Sequence, residues 1–538
     1  MLGRYTDVFR GIAHADPQRT AIITRDRTLT YGEFTAEAAA LATHLEGEGV
    51  RPGDSVAIFS YNRDEFLVAI YGCMAAGLSP VPVNFRYRAA ELRQLLDNSR
   101  ARALIYPRSL SDVVGEALTG LAAGAAPVLV EIDDAHGEPR AGAAPFAQVT
   151  SRPGSLPDAP PAGGELRLYT GGTTGQPRGV QWESDYLLEG KLFSIYTLAG
   201  VDPPETVDGA VAVAMDPATP RVVTLPLAPF IHGTALFTSL NTLVLGGSIV
   251  IHASPRFDAS EALRLISTYE VSRLVVAGDA VALPLVEAAE KEDVELTSVT
   301  SVMSSGMRLG DEAKRRLHER GELSIVDLLA ATEGGPFATA ITTSSADLPA
   351  RLRLMPDAAV LDESGAEIQG RVGALGLLAY RGPLPRGYLG DAEKTRETFR
   401  DIGGRRYVVP GDWARVLDDE GHIELLGRGS AVVNTGGEKV YPAEVEQAIL
   451  EHPAIADAVV VGTPDARFGE AVTAIVVPRE GVSIDRAALA AHLDARLAGY
   501  KKPRHLIVRE SLERSPHGKL DLRRLREEAA RELSEVTQ

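Results

Sequence analysis

The chain has 538 residues, 45% hydrophobic and 24% charged, with a formal net charge of −18. That length supports more than one packed domain, and the composition is ordinary for a soluble globular protein. The acidic balance excludes a general nucleic-acid binder, since no basic excess exists to displace phosphate counterions, but it leaves room for a local positive site around a small phosphorylated ligand.

The predicted elements alternate from the start. Phe34, Ala38, Leu41 and Leu45 recur on one face and predict a helix over 31–48. Gly49 and the Pro52-Gly53-Asp54 turn end it. SVAIFS (55–60) reads as a buried strand, 64–76 as a helix with Phe66, Ile70 and Cys73 inward, and 80–83 as a further extended run. This alternation predicts βαβ units and a mostly parallel sheet. Residues 140–164 and 203–220 read as loops. LVVAG (274–278) and SVMSSG (301–306) read as strand ends opening into loops, the usual place for ligand sites in open α/β sheets. From about 430 the pattern changes to a strand, a helix from Pro442 to about 451, strands at 456–462 and 471–478, and a helix near 485–497 with Leu489, Leu493 and Leu497 on one stripe. The expected fold is α/β, with a large N-terminal domain over 1–429 and a small α+β C-terminal domain over 430–538.

The lone cysteine, Cys73, rules out an internal disulfide and fits a reducing cytoplasm. It lies in an apolar segment that reads as a packed helix, which argues against a nucleophile. The segment MLGRYTDVFRGIAH lacks the apolar core of a secretion signal. The longest apolar stretch, 235–253, is broken by Ser239, Asn241, Thr242 and a Gly246-Gly247 pair, so no membrane span is expected.

The stretch around which the rest is organised is YTGGTTGQPRGV (169–180). Thr170, Gly171, Gly172, Thr173, Thr174 and Gly175 put three glycines and three threonines into six residues. Glycine lets backbone approach a ligand closely, and consecutive free N–H groups beside hydroxyls form an anion-binding concavity. With Arg178 behind it, the loop suits polyphosphate. It is not a Walker A sequence, because no Gly-Lys-Ser/Thr closes it.

Five further segments follow in order: LPLAPFIHGTALF (225–237), LLAATEGG (328–335), GDWARV (411–416), GRGSAVVNTGGEKVYPAEVE (427–446) and SPHGKL (515–520). Together with the loop they resemble the motifs of the acyl-adenylate-forming superfamily, and within it the acyl-CoA synthetases, from about residue 20 to 520. The resemblance implies roles residue by residue. The loop and Arg178 hold ATP phosphates, and Gly306 and Met307 flank the adenine. His232, Gly233 and Gly334 line the acyl pocket. Thr332 contacts the nucleotide phosphate and Glu333 helps hold Mg²⁺. Asp412 and Arg428 meet the ribose. Ser430 is the hinge. Gly437, Glu438 and Lys439 serve the coenzyme A tunnel, and Lys519 contacts the carboxylate and α-phosphate during adenylation. The implied reaction joins an acid to AMP and then passes the acyl group to CoA, the C-terminal domain turning about the hinge between steps.

The departures from the family pattern cluster on the nucleotide side. Arg178 replaces a lysine, which changes geometry at constant charge. Leu329 and Ala330 stand where many members have Tyr-Gly, and Met307-Arg308 where they have Ala-Pro. Losing an aromatic stacked on a base costs about 1–3 kcal/mol. The sequence therefore raises a split function, with adenylation weakened or lost and a separate adenylating ligase supplying acyl-AMP. The pocket segments are small or apolar, and no charged residue stands out to meet an amino group, which disfavours an amino acid; the motif style looks similar to that of ligases for bulky terpenoid or steroid-like acids. The alternatives are a medium- or long-chain fatty acid, or a silent acyl-CoA or nucleotide binder. A peptide-synthetase domain is disfavoured because no carrier domain follows. A homodimer is expected only as a base rate.

Overall fold

The computed structural model describes residues 3–119, 126–158, 161, 163–171, 177–428, 432–435, 438–465, 469–497, 499–514 and 520–536. Its contacts divide the chain into two units, Met1–Ala350 with Arg381–Val408, and Arg351–Tyr380 with Val409–Gln538.

In the first unit the early alternation folds as its pattern implies. Helix Tyr31–Gly47 starts at a capping box, in which Thr30 Oγ1 accepts from the Glu33 N–H and the Glu33 carboxylate accepts from the Thr30 N–H. Phe34, Ala38, Leu41 and Leu45 are fully buried. Helix Asp64–Ala75 is apolar and buried on every side from Phe66 to Ala75, Cys73 included. Strands Ser55–Phe59, Ser79–Val83, Ala101–Pro107 and Val128–Ile132 pair in parallel. A second sheet holds the parallel strands Ser248–Val250, Val223–Pro226, Arg273–Val276, Ser301–Ser305 and Ser324–Ala331, with Gly334–Thr342 antiparallel after the last. Leu225, Leu274, Val302 and Ile325 fill its core with no exposed surface. The loops that leave the strands of the second sheet carry His232, Gly306, Met307, Thr332 and Glu333.

Two loop expectations are corrected. Residues 203–220 contain helix Val207–Met215, whose Thr206 cap accepts from the Gly209 N–H. Its Ala210–Ala214 run is a good helix former, masked in the sequence by prolines on either side. Residues 140–164 contain the short helix Phe146–Thr150.

In the second unit, strands Ala358–Leu361, Leu375–Tyr380, Asp412–Val416, His422–Arg428 and Leu352–Leu354 form an antiparallel set. Ile455–Asp465 and Gly469–Pro478 form a long antiparallel ladder joined in parallel by His505–Val508. Helices Pro442–Leu450 and Arg486–Asp494 bury Val445, Ile449, Leu489 and Leu493 against Val460, Val472 and Val476. The second helix stops at Asp494, and Leu497 is buried beyond it. Among the described residues no helix is long and apolar enough to cross a membrane.

Candidate active site

The glycine- and threonine-rich stretch is flanked by the two strands of a hairpin. Strands Glu165–Gly171 and Pro177–Glu183 pair antiparallel, with Thr170 opposite Arg178 and Gly171 opposite the residue before it. Gly172, Thr173, Thr174 and Gly175 lie outside the described residues. Within the hairpin, Tyr169 crosses over Gly179; a Cβ on that glycine would lie 2.8 Å from the ring. The Tyr169 hydroxyl donates to Asn98 Oδ1 at 2.6 Å, which ties the hairpin to helix Ala89–Ser99.

A neighbouring segment clamps the hairpin from its second strand. The Gln181 N–H donates to Gly387 O, the Arg386 N–H to Gln181 O and the Leu389 N–H to Gly179 O, all at 2.8–2.9 Å. This brings Asp391 to Arg178, whose Nε donates to the carboxylate at 3.1 Å. Asp391 also caps helix Ala392–Thr398. The Lys394 backbone N–H, and then Arg178, hold the Asp391 carboxyl below its usual range.

The same clamp reaches the Thr332–Glu333 turn. That turn joins strands Ser324–Ala331 and Gly334–Thr342. It is fixed from two sides. Trp182 Nε1 donates to Thr332 O at 2.9 Å, and the Tyr388 hydroxyl donates to Glu333 Oε1 at 2.8 Å. Burial, then the Glu333 charge, push the Tyr388 hydroxyl pKa well up, so it stays a donor. Arg178, Thr332, Glu333 and the hairpin thus share one hydrogen-bonded frame.

The residues expected to line the acid occupy another strand end. His232 precedes helix Gly233–Val244 at its N-cap. A Cβ on Gly233 would lie 3.1 Å from the Phe237 ring and 3.8 Å from Leu168 Cδ1, so this helix start faces the hairpin. Gly306 opens toward Thr234. The loop after it is pinned: the Asp279 N–H donates to Arg308 O, and the Gly310 N–H to Asp279 Oδ1. Gly278, at φ +56°, makes room for the Arg308 carbonyl, which a Cβ would meet at 2.3 Å. Met307 is half-buried and Arg308 exposed.

Behind the hairpin is a group the sequence did not single out. Lys191 is 9% exposed, with Nζ 4.4 Å from the Phe237 ring centroid and 5.1 Å from that of Trp182. The two rings meet edge to face at 6.4 Å. Burial pushes the Lys191 pKa down to about 8.

In the second unit Asp412 and Arg428 are directly opposite on adjacent antiparallel strands. Cross-strand partners stand about 5 Å apart. Glu438 and Lys439 fall in strand Glu438–Val440, opposite Thr435 and Asn434. The side chains of Gly171, Arg428, Glu438 and Lys439, and all of Ser430, Gly437 and Lys519, lie outside the described residues.

The family described as AMP-binding enzyme matches residues 9–389, and its C-terminal domain matches 444–519. The chain belongs to this family, in its acyl-CoA synthetase branch. A medium/long-chain-fatty-acid–CoA/3-oxocholest-4-en-26-oate–CoA ligase of Mycolicibacterium smegmatis is 36% identical over 95% of this chain and 93% of its own length. The medium-chain acyl-CoA ligase Mig of Mycobacterium avium is 37% identical over 97% of each chain. A 3-oxocholest-4-en-26-oate–CoA ligase of Rhodococcus rhodochrous is 35% identical over 94% and 92%. The enzyme class is acid–thiol ligase. Among solved structures, anthranilate CoA ligase AuaEII with anthranoyl-AMP superimposes with a TM-score of 0.82 at 20% identity, over 99% of this chain and 98% of its own. ATP-bound MatB from Rhodopseudomonas palustris gives 0.78 at 24%, over 98% and 99%. These two likenesses concern the fold.

Of the residues that organise this AMP-binding enzyme's first unit, Trp182, Lys191, Tyr388 and Asp391 were not legible beforehand. Trp182 and Lys191 lie in a stretch without periodicity. Tyr388 and Asp391 come from a segment some 200 residues further on, and only folding brings them to the hairpin.

Proposed function

We propose that this ligase activates a bulky hydrophobic carboxylic acid, steroid-like or fatty, as its acyl-adenylate and transfers the acyl group to coenzyme A. The observation that carries the reading is the shared frame of the hairpin, Arg178 and the Thr332–Glu333 turn, beside the small and apolar helix start at Gly233. The substrates named for the relatives at 35–37% identity support the acid class.

In this reading the loop 170–175 and Arg178 hold the phosphates of ATP, with Gly306 and Met307 beside the base. Asp412 and Arg428 hold the ribose, a pairing supported by their register. Mg²⁺ takes one or two carboxylates together with substrate phosphates. The half-buried Glu333, oriented by Tyr388, fits that demand. When bound, the ion neutralises phosphate charge and acts as a Lewis acid. Lys519 brings a further cation to the reacting carboxylate and α-phosphate, where preorganised charge lowers the barrier. His232, Gly233 and Gly334 bound the acid. After adenylation the domain 430–538 turns at Ser430 and presents Gly437, Glu438 and Lys439 to CoA. The setting is the cytoplasm, in keeping with the buried thiol of Cys73, and the assembly is a homodimer.

A second reading retains the thioester step and weakens adenylation, a separate ligase supplying acyl-AMP. It is favoured by Leu329 and Ala330, which sit in strand Ser324–Ala331 and offer no aromatic ring. Two parallel assays separate the readings. One supplies 3-oxocholest-4-en-26-oate, ATP, Mg²⁺ and CoA, and the other the corresponding acyl-AMP and CoA without ATP. Acyl-CoA in both establishes the full reaction. Acyl-CoA only in the second establishes the split. Product in neither, across fatty and steroid acids, removes both in favour of a binding protein.

A further inference from the structure

We propose that Lys191 is a substrate-recognition residue of this ligase: its ammonium group, seated on the faces of Trp182 and Phe237, takes up an oxygen of the acid being activated. The proposal rests on the ligase reading and deepens it.

The molecule supplies its own control in Lys314. That lysine is as deeply buried as Lys191, and it has a carboxylate, Asp327, 2.9 Å from its nitrogen. Among the described residues Lys191 has no such partner: no carboxylate or hydrogen-bond acceptor pairs with its nitrogen, and only two ring faces approach it. A buried ammonium carries three donors and no acceptor. Aromatic faces compensate only part of its charge, so the donors stay open to an acceptor on a ligand. The lowered pKa records the burial of that charge.

The position says what completes the set. Phe237 stands one turn beyond Gly233 on the acid-side helix, its ring against the helix start. Trp182 binds the Thr332 carbonyl of the turn on the nucleotide side. The ammonium therefore stands between the two segments that enclose the reacting acid in the proposed function. A wholly hydrocarbon ligand would leave the ammonium without an acceptor, whereas an oxygen on the acid supplies one. That oxygen comes from the reacting carboxylate or from a second oxygen function along the acyl chain.

The test uses the full-length ligase, Lys191→Met and Lys191→Arg. The probes are hexadecanoate, hexadecanedioate, 5α-cholestan-26-oate and 3-oxocholest-4-en-26-oate. KM and kcat are measured for each acid, and acid Kd by calorimetry without ATP, so that binding is read even where no acid turns over. Thermal melts establish that each variant is folded. The expected result for Lys191→Met is a rise in KM and Kd of about 10- to 100-fold, with kcat changed far less and with partial recovery in Lys191→Arg. A rise common to all four acids assigns the oxygen to the reacting carboxylate. A rise confined to the oxygenated acids assigns it to the second function. Unchanged KM and Kd for every acid in folded Lys191→Met overturns the proposal. Failure of the wild type to form any acyl-CoA overturns the ligase reading instead, and Kd alone then decides the role of Lys191.

Discussion

Two regions of the first unit contrast in how their polar groups are met. At the Thr332–Glu333 turn, the Thr332 carbonyl accepts from Trp182, the Glu333 carboxylate accepts from Tyr388, and Arg178 is fixed by Asp391. At the Phe237–Trp182 slot a lysine is buried with no acceptor among the described residues. The first region is preorganised: in the proposed reading its charges are held before substrate arrives, so little reorganisation is needed. The second is left incomplete, and incompleteness inside a packed core is expected where a ligand finishes the structure. Trp182 belongs to both, so the contrast is drawn within a single hydrogen-bonded frame.

The comparison is broken most severely at Glu333. Glu333→Gln removes the charge while preserving shape, and pyrophosphate exchange should fall by roughly 10²–10³-fold with an unchanged melting temperature, a loss typical of a removed electrostatic group. A fall in stability matching the fall in activity would make the turn merely structural.

Lys191→Met tests the other side through stability. Burial lowers the folded-state pKa to about 8, below the unfolded value near 10.4. The unfolded chain therefore binds the proton more tightly, and the lysine destabilises the fold at all pH values below about 8. The shift corresponds to on the order of 3 kcal/mol, of which stacking on two rings offsets about 1 kcal/mol. Lys191→Met should be more stable than wild type at pH 7 in urea unfolding, with the gain shrinking as pH rises from about 8 toward about 10.4. A gain that persists unchanged at pH 10 would mean that packing, not charge, explains it.

Gly179→Ala forces a methyl group into the Tyr169 ring at 2.8 Å. Overpacking of that kind costs about 1–3 kcal/mol, and the pair with Asn98 should loosen. Calorimetric melting reads it, and Tyr169→Ala in the same chain should relieve the clash. An effect of similar size is expected from Tyr388→Phe, which deletes one hydrogen bond to a charged group. Such bonds contribute about 1.5–3 kcal/mol, so kcat/KM for ATP should fall roughly ten- to hundred-fold while Lys191-dependent acid binding is unaffected. Coupled loss of both would show that the two regions are one.

Much of the architecture was legible. The βαβ alternation at 31–83 reads directly from periodicity, because helix Tyr31–Gly47 and its neighbours bury the faces their apolar spacing defines. Helix Val207–Met215 was missed because flanking prolines outweighed a short alanine-valine run. The motifs located Arg178, Thr332 and Glu333 individually. They carried no sign of the Tyr388 and Asp391 clamp, since hydrogen bonds across about 200 residues leave no local pattern. Nor did they reveal Lys191, since a lysine in a polar stretch reads as solvated until packing removes its water.

The sequence by itself determined the class of fold, the order of the motifs and the family, because periodicity and turn chemistry are local and motif spacing is fixed by the elements that carry it. Tertiary structure decided which groups are neutralised and which are not. Arg178 has a partner because the segment 386–391 lies along its strand, and Lys191 lacks one because two rings close over it. Charge pairing depends on distance and desolvation, and neither exists until the chain has packed.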